Sequence, residues 1–199
     1  MTDDEPREFI DRGRPVSDEF YEVVGEFTGK NLKTTRKKLE KLIEKDPDFL
    51  DSYSMLAQVA SEEGHLDEAV KLINTAYDRA LALITDDEGN WPDILKWGWL
   101  ENRHIIRAIL SKAIVLWNVG FPSEALVLFR KLLRSNPGDN IGARELILGI
   151  RMNMTYEDFE TRFNKGGFYD DELIDWFEEN HKKFPDEFEW WDKWCEENL

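Results

Sequence analysis

The sequence predicts an all-α protein of antiparallel helical hairpins, and three features carry that prediction. Apolar residues recur at three- to four-residue spacing along most of the 199-residue chain, the rhythm of a single buried helix face. Nowhere is there the sustained period-two alternation of a half-buried strand. Turn residues separate the apolar stripes, at Gly64-His65, Asp86-Asp87-Glu88-Gly89-Asn90, Gly120-Phe121-Pro122 and Asn136-Pro137-Gly138, where helices are expected to stop.

Taken in order, the first stripe is Phe20, Val23, Val24 and Phe27, and the second is Leu39, Leu42 and Ile43. Tyr53, Leu56, Ala57 and Ala60 make a third, followed by Ala69, Leu72, Ile73, Ala76 and Ala80. Ile105, Ile106, Ile109, Leu110, Ala113, Leu116 and Trp117 form the next. Leu126, Phe129, Leu132 and Leu133 give another helix, and Leu146, Ile147 and Ile150 one more.

Two of these hairpins repeat each other. Gly64 stands five residues before Ala69, and Gly120 five before Ala125. Ala57 is twelve before Ala69, Ala113 twelve before Ala125, and Ile73 and Phe129 each follow the second Ala by four. Helix axes approach to about 8–10 Å only where small side chains meet, and the glycines suit a left-handed stop after the first helix. This spacing resembles the tetratricopeptide repeat (TPR), a 34-residue helix–turn–helix unit. The implied registers are 16–49, 50–83, 106–139 and a degenerate unit from 140. The resemblance implies a short right-handed solenoid of about three and a half units over 16–152, with an insertion near 84–105.

The chain departs from the pattern in places. Thr35 stands where a small Ala is usual and Glu22 where a Leu is expected. The interval from Leu50 to Ile106 exceeds one repeat, which predicts a helix prolonged to Ile84 and a long one from Ile94 to Val119. Phe159 occupies a small-residue position, so the last hairpin is expected to splay. Residues 1–15, with Pro6, Gly13 and Pro15, are expected to be a disordered acidic tail. Residues 153–199 predict two short helices, near 172–182 and 187–197, with Trp176, Phe177, Trp190, Trp191 and Trp194 on their apolar faces. They are read as an acidic, Trp-rich helical cap, because a terminal repeat exposes a core edge. Alternatively they form a docking patch. Residues 97–144, through Glu101-Asn102-Arg103, Arg107-Ala108 and Asn136-Pro137-Gly138-Asp139-Asn140, also resemble repeat proteins related to the suppressor-of-tumorigenicity-7 family.

Chemistry is sparse. His65, His104 and His181 are far apart, and Cys195 is the lone thiol, so no metal-ligand spacing or disulfide framework exists. His65 and His181 are expected at the surface. Asp86–Asn90 lacks the alternating oxygen ligands of a calcium loop. No phosphate-binding Gly-rich loop and no nucleophile elbow occur. No cofactor, no metal and no enzymatic activity are therefore expected. The acidic N-terminus has no apolar leader, and no apolar run approaches bilayer length, so a cytoplasmic location is expected.

Charge is more informative. With 42 acids against 26 bases the net charge is −16, which disfavours nucleic acid and anionic membranes as partners. Residues 101–152 reverse the sign, carrying 8 bases against 4 acids. The TPR resemblance implies a concave groove lined by the first helix of each unit. On this sequence that groove offers Gln58, Arg103, Arg107, Ser111, Trp117, Asn118, Arg144 and Arg151. Arginine fits carboxylates bidentately, so the expected function is a non-catalytic protein–protein interaction scaffold binding an acidic or C-terminal peptide segment. Ion pairs of these arginines with Glu101 and Glu145 are the competing use. Some repeats of this type hold a chaperone's terminal carboxylate with Lys and Asn in the first unit. Phe20 and Val24 stand there instead. The alternative function is a structural or homo-oligomeric subunit docking through its Trp-rich C-terminal helices.

Overall fold

Each apolar stripe becomes one helix. The computed structural model describes residues 5–166 and 171–198. The helices run α1 (Val16–Glu26), α2 (Leu32–Lys45), α3 (Asp51–Glu62), α4 (Leu66–Ile84), α5 (Arg103–Asn118), α6 (Pro122–Ser135), α7 (Ala143–Arg151), α8 (Tyr156–Phe163), α9 (Asp171–Asn180) and α10 (Pro185–Asn198). No strand occurs among the described residues, and Glu8 and Ile94 form an isolated bridge. No described helix is long and apolar enough to cross a membrane. The chain divides into two units, 1–112 and 113–199, with the division inside α5.

In the first unit, Val16, Phe20 and Val23 of α1 meet Leu39 and Leu42 of α2, Phe49, and Leu56 and Val59 of α3. Burying a large apolar side chain contributes about 1.5–3 kcal/mol, so this cluster outweighs any end effect in holding the hairpins. Helix α3 stops at Gly64, whose φ is 82°. His65 N–H donates to the Ala60 carbonyl at 2.8 Å and Gly64 N–H to that of Ser61 at 3.0 Å, the paired bonds of a Schellman stop.

The N-terminal segment is not a loose tail. Residues 1–4 lie outside the described part, but 7–14 form a strap fixed by polar contacts. The Arg7 guanidinium donates to the carbonyls of Ile84 (3.0 Å) and Asn90 (2.7 Å), and its N–H donates to Asp93. The Asp11 N–H donates to Asn102 Oδ1 at 2.9 Å, and Asn102 Nδ2 returns a bond to the Phe9 carbonyl. Buried Arg14 bonds both Asp11 (2.6 Å) and Asp46 (2.8 Å).

That strap explains a second departure. Helix α4 ends at Ile84 as expected, but α5 begins at Arg103, not Ile94. Residues 85–99 are irregular, and a single 3-10 turn, Leu100–Asn102, leads into α5. Pro92 and Gly98 weaken helix there, and the carbonyls of Ile94, Lys96 and Trp97 accept bonds from Phe9, Asn102 and Arg103. Asp86 closes the acidic turn by accepting from the N–H groups of Glu88 and Asn90.

In the second unit the same stop recurs. Gly120 (φ 90°) ends α5, with Phe121 N–H on the Leu116 carbonyl and Gly120 N–H on that of Trp117. It recurs again after α7 with Asn153 (φ 58°), Met154 N–H reaching the Gly149 carbonyl; Asn tolerates the left-handed region next best after Gly. Thr155 and Asp158 then cap α8 reciprocally. Phe159 does not splay this region. It is fully buried, packed on Trp117, Phe163 and Trp176. The space comes from Gly149, where a Cβ would lie 2.8 Å from Trp117 Cη2 and 2.9 Å from Phe159 Cδ2. Smallness has moved from the aromatic's own position to the helix facing it.

Helices α9 and α10 bury Trp176, Phe177 and Phe188. His181, expected at the surface, is buried: it stacks on Phe177 at 4.8 Å and reaches Asp192 at 3.3 Å.

Candidate functional site

The eight groove residues separate between the units. Gln58, Arg103, Arg107 and Ser111 belong to the first, and Trp117, Asn118, Arg144 and Arg151 to the second.

Within the second unit the arginines are engaged by their own chain. Arg151 bonds Asp186 (2.8 Å) and Glu187 (2.6 Å), and Arg130 bonds both oxygens of Glu187. Arg144 bonds Glu145 at 2.8 Å and Asp139 at 3.4 Å, beneath the rings of Phe177 and Trp191. Arg134 lies 3.7 Å from the Trp190 ring centre. Residues 186–191 thus meet the basic faces of α6 and α7, so Arg144 and Arg151 are internal ion-pair partners rather than free groove cations. Trp190, Trp191 and Trp194 are half-buried in the process.

One acid cluster here is unbalanced. Asp139 accepts from the N–H groups of Ala143 and Arg144, yet it shares the one Arg144 charge with buried Glu145, whose Oε2 has no partner. Burial and the Glu145 charge push Asp139 up to about 7, against those hydrogen bonds. Burial likewise raises Glu145.

Trp117 and Asn118 line a separate cavity of about 650 Å³ with Leu126, Ile150, Met154 and Tyr156. Trp117 is its floor, anchored by Nε1–H on the Met154 carbonyl at 3.1 Å; exposed Asn118 is on the rim. This cavity contains no cation.

In the first unit, exposed Gln58 donates to Glu62 at 3.0 Å, and Ser111 is half-buried in α5. Arg103 and Arg107 share a cavity of about 390 Å³ with Arg12, Gly13, Arg14, Ser17, Asp18, Tyr21, Phe49, Asp51, Leu100, Glu101 and His104. Ser17, Asp18 and Tyr21 come from one face of α1, Arg12 to Arg14 from the strap, and Leu100, Arg103 and Arg107 from one face of the turn into α5. His104 forms part of the floor: Nδ1 accepts from the Leu50 N–H (3.1 Å), which fixes Nε2 as the donor to Asp11 at 2.9 Å. Burial resists the Asp11 charge, but bonds from His104 and Arg14 prevail and hold its pKa at about 2.

The four arginines differ in what they have left to offer. Arg14 is saturated by Asp11 and Asp46. Arg107 is held bidentately by Asp51; burial opposes its charge and the Asp51 bond more than compensates. Arg103 uses only Nε, on the Trp97 carbonyl at 3.1 Å, while its plane lies 4.9 Å from the Trp97 ring centre. Arg12, with 72% of its side chain exposed, comes only within 4.0 Å of Asp46. Among the described residues the terminal amines of Arg103 and Arg12 have no hydrogen-bond acceptor. Arg12 and Tyr21 are absent from the sequence expectations because one lies in the supposed tail and the other outside the apolar stripe of α1.

Residues 38–71 match the tetratricopeptide repeat family. The match runs from α2 through α3 and the Gly64 turn into α4, and such a repeat points to a protein–protein interaction scaffold. No curated protein matches the chain, and no solved structure does. The resemblance of residues 97–144 to relatives of the suppressor-of-tumorigenicity-7 family is accordingly without support.

Proposed function

We propose that this chain is a non-catalytic, cytoplasmic interaction scaffold that holds an acidic segment of another protein in the cavity of its first unit. The observation that carries the proposal is the pair Arg12 and Arg103, two guanidiniums on one cavity with donors that nothing in the described chain accepts from. A carboxylate placed there gains charge-assisted hydrogen bonds without displacing a native hydrogen bond. Arg14, Arg107, Asp51 and His104 are fixed by their own bonds and hold the walls in place. The acidity of the rest of the chain does not favour nucleic acid or anionic membrane as the partner.

The test is an array of peptides containing Glu, each beside a twin with Gln at the acidic positions. It is probed with the intact chain and with the Arg12→Gln/Arg103→Gln variant. Expected is stronger retention of the Glu peptides by the wild type and equal retention of both twins by the variant. Equal retention by the wild type would remove the proposal.

A further inference from the structure

The same cavity contains more than cations, and its other residues limit which acidic segment fits. This inference rests on the reading just given. Two large apolar side chains beside Arg12 and Arg103 are exposed: Leu100 at 67% and Tyr21 at 56%. Leu100 precedes Arg103 by three residues through the 3-10 turn into α5, so the two share a face. Tyr21 stands across the cavity on α1, and its hydroxyl lies beside Arg107. An isolated exposed Leu is ordinary. Leu100 and Tyr21 differ in lining one concavity of about 390 Å³ together with two guanidiniums whose terminal amines have no hydrogen-bond acceptor among the described residues.

The cavity also contains Asp18 and Glu101, neither with a cationic partner among the described residues. They repel any second or third acid of a ligand whose first carboxylate is on Arg12 and Arg103. A polyacidic tract therefore gains one favourable contact and several unfavourable ones. A lone carboxylate avoids that repulsion, and a bulky apolar neighbour has Leu100 and Tyr21 to cover.

The geometry points to a partner segment with a single acidic side chain immediately next to a large aliphatic or aromatic residue, the acid on Arg12 and Arg103 and the apolar side chain on Leu100 and Tyr21. Charge complementarity places the acid, and the cavity's own exposed apolar area places its neighbour. Specificity then comes from both attraction and repulsion, because Asp18 and Glu101 act against the acidic runs that would otherwise bind best.

The probes are amidated, acetylated hexapeptides Gly-Ser-X-Y-Ser-Gly with Glu-Leu, Glu-Ala, Gln-Leu or Glu-Glu at the centre. Each is titrated into the 15N-labelled intact chain, with NMR shifts at Tyr21, Leu100 and Arg103 locating the site. Expected is a Glu-Leu affinity about tenfold above that of Glu-Ala or Glu-Glu, a size consistent with partial burial of one aliphatic side chain. Leu100→Ser should abolish the advantage of Glu-Leu over Glu-Ala. Equal binding of Glu-Ala and Glu-Leu, or tightest binding of Glu-Glu, overturns this inference and leaves the acidic-segment reading intact. Gln-Leu binding as tightly as Glu-Leu, or no shift with any peptide, sinks that reading and this inference with it.

Discussion

The two units differ in the arginines around their cavities. In the second, Arg130, Arg144 and Arg151 each meet carboxylates of the same unit and Arg134 covers an indole. In the first, Arg14 and Arg107 are bound into the structure while Arg12 and Arg103 keep free donors. Residues 101–152 are the basic stretch of the sequence, yet Arg130, Arg144 and Arg151 within it are neutralised, and Arg12, which keeps free donors on the first unit's cavity, lies outside it. Net charge over a stretch counts formal charges; a site needs donors without acceptors, which only the folded chain reveals.

The comparison can be broken at several points. The largest effect is expected at Arg14. Arg14→Ala strands Asp11 and Asp46, both nearly buried, and breaking a buried pair this way costs about 3–5 kcal/mol; denaturant unfolding checks it, and a loss below 1 kcal/mol would show that the strap is not fastened there. Next is Glu187→Gln, which removes the anionic acceptor shared by Arg130 and Arg151. Both arginines reach solvent at their tips, so about 2 kcal/mol is expected, read the same way.

A smaller effect follows from pH, with opposite signs in the two units. Asp11, held at about 2, adds stability above its unfolded value of about 3.9 and loses it as the pH falls from there towards 2. Asp139, pushed up to about 7, keeps a proton in the folded chain that the unfolded chain releases from about pH 4. Its contribution therefore grows on acidification from pH 7 towards 4. Between pH 7 and pH 6 the wild type should gain on the order of 1 kcal/mol relative to Asp139→Asn. A parallel response of the two chains would mean that the Ala143 and Arg144 N–H groups keep the carboxylate ionised. The smallest stability effect belongs to Arg12→Gln/Arg103→Gln, within about 0.5 kcal/mol of wild type by thermal melting, although this is the variant expected to lose the acidic peptides.

How much of this was legible varies by element. The hairpins around Gly64 and Gly120 were, because a helix stop is a local event with a local residue requirement. The end of α4 at Ile84 was readable from the Leu50-to-Ile106 interval, which exceeds one repeat. The fit of Phe159 was not: it depends on Gly149, on another helix, and no period links an aromatic to the gap it fills. The burial of His181 depends likewise on Phe177 and Asp192. The strap was illegible because Arg7, Asp11 and Asn102 act through single polar bonds without periodicity. The candidate site was half visible. Arg103 and Arg107 stood out on a helix face, whereas the sequence could not show that Asp51 takes Arg107 and leaves Arg103 free.

The strap also dictates an order of events. Its bonds to the 84–102 segment join residues 77 to 93 positions apart in the chain, whereas the α1–α4 hairpins close over short spans. Contacts between distant residues bear the larger loop-closure entropy and form late. During synthesis Arg14 can meet Asp46 early, but Arg7 waits for Ile84 and Asn90, and Phe9 and Asp11 wait for Asn102 and His104. The cavity wall carrying Arg12 is thus made before α5 and put in place after it.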